Sequence, residues 1–159
     1  MKKMSDDEDL LAFCGLYCGD CPGFQGKISA LAKDLRKELK ISKIWIYDKF
    51  AEIISRKSTS EALKRYKVCY ETLSMMVNFR CKKGCKNGGG PVFCEIRKCC
   101  QKKGINGCWE CDGFEHCGLL HILNPVHGNA HMKNLRIMKK KGTTKFIDGK
   151  RYWYSEIRK

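Results

Sequence analysis

The chemistry of this chain is concentrated in sulfur. Of its twelve cysteines, Cys14, Cys18 and Cys21 stand in the string CGLYCGDC, and Cys81, Cys85, Cys94, Cys99, Cys100, Cys108, Cys111 and Cys117 crowd into 37 residues. Cys69 stands alone. Thiols at this density are either oxidised in pairs or held by a soft cation, and the redox compartment decides which. The opening MKKMSDDEDLLAF has acids where a secretory signal needs an apolar core, and no run approaches the roughly 18 apolar residues of a membrane span. A cytoplasmic protein with no membrane attachment is expected. In that reducing setting metal-thiolate chemistry is favoured over disulfides.

The spacing narrows the metal. Cys14-x3-Cys18-x2-Cys21 offers three thiolates within eight residues, with Gly15 and Gly19 available for the tight backbone that lets sulfurs converge. Such a string suits a tetrahedral zinc, at about 2.3 Å per sulfur with a fourth ligand from elsewhere, or a [4Fe-4S] cluster with one iron left open. Radical enzymes that use an open iron wrap it in a large partial βα barrel, for which 159 residues and this hydrophobic pattern leave no room. Cys108-Trp-Glu-Cys111 is a C-x2-C knuckle followed by Cys117, and Cys94 and Cys99 with Cys81 and Cys85 can complete one or two sites. The candidate metal ligands are therefore Cys14, Cys18, Cys21, Cys81, Cys85, Cys94, Cys99, Cys108, Cys111 and Cys117. Cys99 and Cys100 are adjacent on a predicted helix, so their side chains diverge, and Cys100 is taken as the non-ligand. His121, four residues after Cys117, could instead give a site of three thiolates and one imidazole. His116, His127 and His131 are expected to be exposed or capping.

Catalytic constellations are missing. There is no Ser-His-Asp order, no Gly-rich phosphate loop and no carboxylate pair, and Glu95, Glu110, Asp112 and Glu115 are expected to orient ligands or face solvent. A thiol-redox role for Cys108 and Cys111, or for Cys18 and Cys21, lacks the preceding strand and βαβ setting. An enzyme using an open metal position or Cys100 as nucleophile lacks a readable base or oxyanion arrangement.

The elements that must position these thiols are helical. Ile28, Leu31, Ala32, Leu35 and Leu39 form one stripe over Lys27 to Lys40. Lys43 to Arg56 repeats the pattern, and a third helix begins at Ser58 with Ser58 and Glu61 as a capping box, running to about Phe79. Cys69 falls among its core positions and is read as a buried packing residue. From Cys81 onward glycines and Pro91 forbid regular structure, and metal is expected to replace an aliphatic core. Short helices follow over Val92 to Lys103, Phe114 to Leu123 and Asn129 to Lys141, and TTKFIDGKRYWY reads as a β-hairpin turning at Asp148-Gly149. The expected fold is mainly α: a small single domain of amphipathic helices with irregular cysteine-rich loops and a C-terminal β-hairpin. Residues 1–124 form its cysteine-rich part, with a helical core over 27–80, and 125–159 a basic helix and hairpin packed on it.

The formal charge is +15. Two four-thiolate zinc sites, each adding four negative charges and one divalent cation, would lower it by four to +11. Lys133 to Lys159 carries ten Lys or Arg against two acids, interleaved with Phe146, Tyr152, Trp153 and Tyr154. That combination could bind phosphates and stack bases, although a solvated lysine surface with the aromatics packed beneath it is preferred. The expected function is that of a metal-binding protein in which zinc holds the cysteine-rich half and presents a surface to a protein partner. An iron-sulfur protein in electron transfer or redox sensing is the alternative, and a nucleic-acid-binding zinc protein a lesser one.

Taken in order, CGLYCGDCP at 14–22, CEIRKC at 94–99, KGINGCWECDGF at 103–114 and Cys117 resemble the cysteine-rich prokaryotic proteins classed as domain of unknown function 3795. The resemblance implies that Cys14, Cys18, Cys21, Cys94, Cys99, Cys108, Cys111 and Cys117 are the characteristic cysteines. The chain departs from the pattern with cysteine at 100, where a small residue such as alanine is expected. The family has no established activity, so the resemblance implies a metal site and little else.

Overall fold

The computed structural model describes residues 7–41 and 65–155. Its helices are α1 (Pro22–Gln25), α2 (Lys27–Ile41), α3 (Tyr66–Asn78), α4 (Glu95–Lys103), α5 (Asn124–His127), α6 (Ala130–Lys141) and α7 (Thr143–Ile147). Short 3₁₀ turns at Cys18–Asp20, Cys108–Glu110, Phe114–His116 and Gly118–Leu123 carry or flank the cysteines. The helix expected over Lys43 to Arg56 and the cap at Ser58 lie outside the described residues. Among the described residues no helix is long and apolar enough to cross a membrane.

The chain divides into two compact units, Gln25–Arg80 and the combination of Met1–Phe24 with Cys81–Lys159. In the first, α2 packs on α3. Ala32 is buried between them, the Ser29 hydroxyl donates to the Val77 carbonyl at 2.6 Å, and the Arg36 guanidinium lies 5.0 Å from the centroid of the Tyr70 ring. The less exposed stripe of α3 is Tyr66, Tyr70, Leu73, Ser74 and Val77, which follows the helical repeat. Cys69 sits one position off that stripe and is exposed, so the expectation of a buried packing cysteine is corrected. A free thiol's preference for burial does not override the register set by the two tyrosines.

The second unit holds all eleven clustered cysteines. Its centre is an apolar cluster that includes Leu11, Phe13, Ile96, Trp109, Phe114, Leu120, Leu135, Met138 and Phe146, with Cys100 and Cys108 among them. Metal was expected to stand in for a core between residues 81 and 117. Instead Ile96, Trp109 and Phe114 reach the apolar cluster from that segment, and the thiols are packed against it.

The first cysteine string folds back on itself. Ala12 N–H donates to Leu16 O at 2.8 Å and Cys18 N–H to Leu10 O at 2.7 Å, with Gly15 at the tip. Gly15 has φ +88°, and a Cβ there would lie 2.7 Å from Leu135 Cγ. Only glycine gives both the left-handed backbone and the space for this loop to seat on α6.

The C-terminal hairpin is corrected, since no strand occurs among the described residues beyond the single Leu11–Tyr17 bridge. Thr143–Ile147 forms α7, which closes when Asp148 N–H donates to Thr144 O at 3.1 Å and Gly149 N–H to Phe146 O at 3.2 Å. The Asp-Gly pair thus ends a helix instead of turning a hairpin. A helix lets Phe146 reach zero exposure in the core, and the tail then pairs with side chains on α6. The Asn134 amide accepts Tyr152 N–H at 3.0 Å and donates to Tyr152 O at 2.8 Å. Three further boundaries differ from expectation, the first being α4, which begins at Glu95 and not at Val92. Phe114 to Leu123 is two 3₁₀ turns, and Pro125 lies in the first turn of α5, where its missing N–H is not required.

Histidine placement also departs from expectation. His116 and His121 are exposed, whereas His127 and His131 are buried. The His127 ring nitrogen Nδ1 lies 2.6 Å from Trp153 O. Neither ring nitrogen of His131 has a partner among the described residues. Burial, then the neighbouring His127 and His121, hold the His131 ring below its ordinary pKa, so it sits in the core as a neutral group.

Candidate metal centre

One backbone N–H in the cysteine-rich unit is directed at a sulfur from the other cysteine string. Cys18 Sγ accepts the N–H of Cys85 at 3.3 Å, across 67 residues of sequence. The backbones of Leu16, Phe13 and of Lys83, Gly84 and Gly90 lie near enough to Cys14, Cys85 and Cys81 respectively to favour their thiolate forms. A backbone N–H satisfies a thiolate far better than a thiol. Gly89 makes the turn around Cys81 possible, because a Cβ there would lie 2.7 Å from Cys81 Sγ and 2.5 Å from Gly84 O.

The first group is thus assembled from both cysteine strings: Cys14, Cys18 and Cys21 with Cys81, Cys85 and Cys94. Cys14 feels the charges of Cys85, Cys94 and Cys18, and Cys18 those of Cys85, Cys21 and Cys81. Burial pushes Cys14 up to about 12 and Cys18 up to about 11. At Cys85 burial likewise raises the pKa, whereas at Cys81 the three neighbouring backbone groups outweigh burial and lower it. Without a cation the Cys14, Cys18 and Cys85 thiols stay protonated at neutral pH. A soft cation binding here would therefore displace protons.

A second group surrounds Lys103, near the end of α4. Its ammonium lies 3.5 Å from Cys111 Sγ and interacts with Cys99 and Cys117. Cys108 is tied to the first string by its N–H, which donates to Phe13 O at 2.8 Å. Its sulfur lies 3.6 Å from Cys100 Sγ. Cys100 was taken as the non-ligand of the adjacent pair Cys99 and Cys100. It is 1% exposed and faces inward, because α4 turns Ile96 and Cys100, one helical repeat apart, toward the core. None of the twelve cysteines is in a disulfide. Among the described residues, no three Cys, His, Asp or Glu side chains are close enough together to hold one metal ion.

The acids near the cysteines are engaged with partners. Glu95 pairs with Lys98 at 2.8 Å, Asp112 with Lys139 at 2.9 Å, and Glu115 takes a bidentate pair from Arg136. Glu110 accepts the backbone and side-chain N–H groups of Asn106 at 2.9 and 3.0 Å. The pairs made by Asp112 and Glu115 tie the Cys108–Cys117 segment to α6. The tail aromatics are similarly occupied: Lys133 and Lys150 lie 5.0 and 4.9 Å from the Tyr152 ring centroid, and Trp153 meets His127 edge-on at 4.9 Å.

Sequence reasoning missed Arg97. From α4 its guanidinium donates to four carbonyls, those of Cys85, Gly89, Pro91 and Val92, at 3.2, 2.9, 2.6 and 3.2 Å. It thereby clamps the glycine-rich loop that carries the Cys81 and Cys85 sulfurs. The available signal was an arginine inside CEIRKC beside a loop whose glycines leave carbonyls unpaired. Lysine cannot reproduce a planar fork. Arg97→Lys should cost at least about 1.5 kcal/mol, the low end for hydrogen bonds to a charged group, which is about tenfold faster amide hydrogen exchange over residues 85–92. Unchanged exchange there would refute the clamp.

The fold and this crowd of sulfurs define a helical, thiol-rich protein whose cysteines are gathered from distant parts of the chain. Residues 10–121 match the family described as Protein of unknown function (DUF3795), and the chain belongs to that family. No curated protein and no solved structure matches it.

Proposed function

We propose that the cysteine-rich unit is a thiolate metal-binding module, with zinc as the ion, and that the metal-organised unit offers a surface to a protein partner. The observation that carries this reading is the Cys85 N–H donated to Cys18 Sγ at 3.3 Å, which joins the two cysteine strings across 67 residues of sequence. A protonated thiol needs no such donor, whereas a metal-bound thiolate is oriented and stabilised by one. The donors are all sulfur, which suits soft ions over hard ones. One four-thiolate site would draw its ligands from Cys14, Cys18, Cys21, Cys81, Cys85 and Cys94, and a second from the thiols of the Cys94–Cys117 segment, among which Cys99, Cys108, Cys111 and Cys117 are candidates. When bound, zinc would supply cross-links between segments distant in sequence, and the clamp by Arg97 and the turn at Gly89 would hold the loop that presents its ligands.

Zinc is preferred to an iron-sulfur cluster because closed four-thiolate sites with C-x2-C knuckles are its commonest structural use. The deciding experiment is elemental analysis with a visible spectrum on protein purified without oxygen. About two zinc per chain and no visible band is the expected result. Iron with matching sulfide and a brown chromophore would replace zinc with a redox or sensing cluster, and the absence of any metal would overturn the reading altogether.

A further inference from the structure

We infer that Cys100 is itself a metal ligand and shares its ion with Cys108, an inference that rests on the thiolate-metal reading above. The geometry is the starting point. Two sulfurs on one tetrahedral zinc, each at about 2.3 Å, stand about 3.8 Å apart. Cys100 Sγ and Cys108 Sγ stand 3.6 Å apart, so the pair already has the spacing of one edge of such a tetrahedron.

Both sulfurs are held there by backbone. The carbonyl of Cys100 accepts N–H groups from Gly104 and, at 3.1 Å, from Ile105, which closes the helix under it. Gly104 takes φ +63° at this C-cap, the left-handed geometry that glycine favours. Cys108 is fixed by the Phe13 carbonyl and by its own 3₁₀ turn, in which Cys111 N–H donates back to Cys108 O at 3.1 Å. With exposures of 1% and 8% the two side chains have little rotameric freedom. Cys14, Cys111 and Cys117 pack against the apolar cluster to which Cys100 and Cys108 belong, and the remaining ligands would reach the ion by side-chain rearrangement, since no three ligating side chains stand within reach of one ion among the described residues. A pair fixed in this way would bind without the ordering cost that a flexible loop pays.

The test uses the full chain loaded anaerobically with cobalt(II), whose sulfur-to-metal absorption scales with the number of thiolate ligands. Cys100→Ser preserves shape and removes the thiolate, Cys100→Ala guards against a polar effect of serine, and Cys69→Ser serves as the control. In both Cys100 variants the absorption of the affected ion should fall by about a quarter, one ligand of four. Transfer of zinc to a competing chelator should accelerate at least about tenfold, a size reached even by changes one shell further out. The control should behave as the unmodified protein.

An unchanged cobalt spectrum and unchanged zinc release in both Cys100 variants would overturn the inference and leave the metal reading standing. A Cys100–Cys108 disulfide recovered from protein alkylated at the moment of lysis would overturn it in favour of a redox pair. Unmodified protein that takes up neither ion would overturn both.

Discussion

Stripping the metal with an excess of tight-binding chelator should abolish the cooperative melting of the cysteine-rich unit. The magnitude follows from comparing two quantities. A structural zinc contributes about 10–16 kcal/mol of apparent binding energy at neutral pH, whereas a whole domain is stable by about 5–15 kcal/mol. One site would equal or exceed the entire stability of the unit it holds. The segments concerned otherwise lack continuous secondary structure: Cys81–Cys94 contains no helix, and Cys108–Cys117 only two 3₁₀ turns.

The apolar cluster limits the damage. Leu120, Leu135 and Phe146 have no exposed surface, and they give the stripped chain a reason to remain collapsed. The expected product is thus a compact state with poor fixed packing, not an extended coil. The measurement is near-ultraviolet circular dichroism with amide exchange across 81–117, before and after chelation and again after zinc is restored. Retention of the full exchange protection after the metal is gone would remove the structural role.

The second large effect concerns the core. Phe146→Ala should destabilise the same unit by about 3–5 kcal/mol, the range for emptying an aromatic-sized volume from a packed interior. Phe146 is fully buried on α7, and α7 is short, at five residues. An isolated helix of that length does not persist in water, so its burial against α6 is what maintains it. The loss should reach further than the residue itself. Arg151, just beyond α7, pairs with Asp20 at 2.9 Å and lies 4.6 Å from the Tyr17 ring centroid. It also donates to the carbonyl of Ile147. Loosening α7 should therefore weaken the hold of the tail on the first cysteine string. Ile122→Ala is the matched control: at 75% exposure it should change stability by less than about 0.5 kcal/mol. Denaturant midpoints with an unchanged slope would measure both, and a Phe146→Ala loss below about 1 kcal/mol would mean that α7 does not depend on this anchor.

Much of the helical architecture was legible in the chain. The helical repeat over Lys27 to Lys40 anticipates the bounds of α2 to within a residue, although Ile28, Leu31 and Leu35 of its apolar stripe are exposed and Ser29 and Ala32 are the buried positions, and the breakers Gly104 and Gly142 end α4 and α6 where the sequence places them. The same local logic failed where a long-range partner decided the outcome. Asp148-Gly149 is a fair hairpin signal, but a hairpin needs a second strand. The residues after the pair found Asn134 and the His127 carbonyl instead. His131 carries a titratable ring that local reasoning places at the surface, yet it lies on the buried side of α6 beside Leu135 and Met138.

The amino-acid sequence by itself determined the chemistry available to this protein: eleven clustered thiols, their glycine-permitted turns, and membership of a cysteine-rich family, because side-chain type and close spacing are local properties. Only the tertiary structure decided which sulfurs meet. Cys18 receives its N–H from Cys85, Cys108 rests on Phe13, and Cys100 turns inward to face Cys108. Each of those contacts depends on how a loop seats against α6 or how a helix face meets the core, and that is settled by packing many residues at once, which no short stretch of chain encodes.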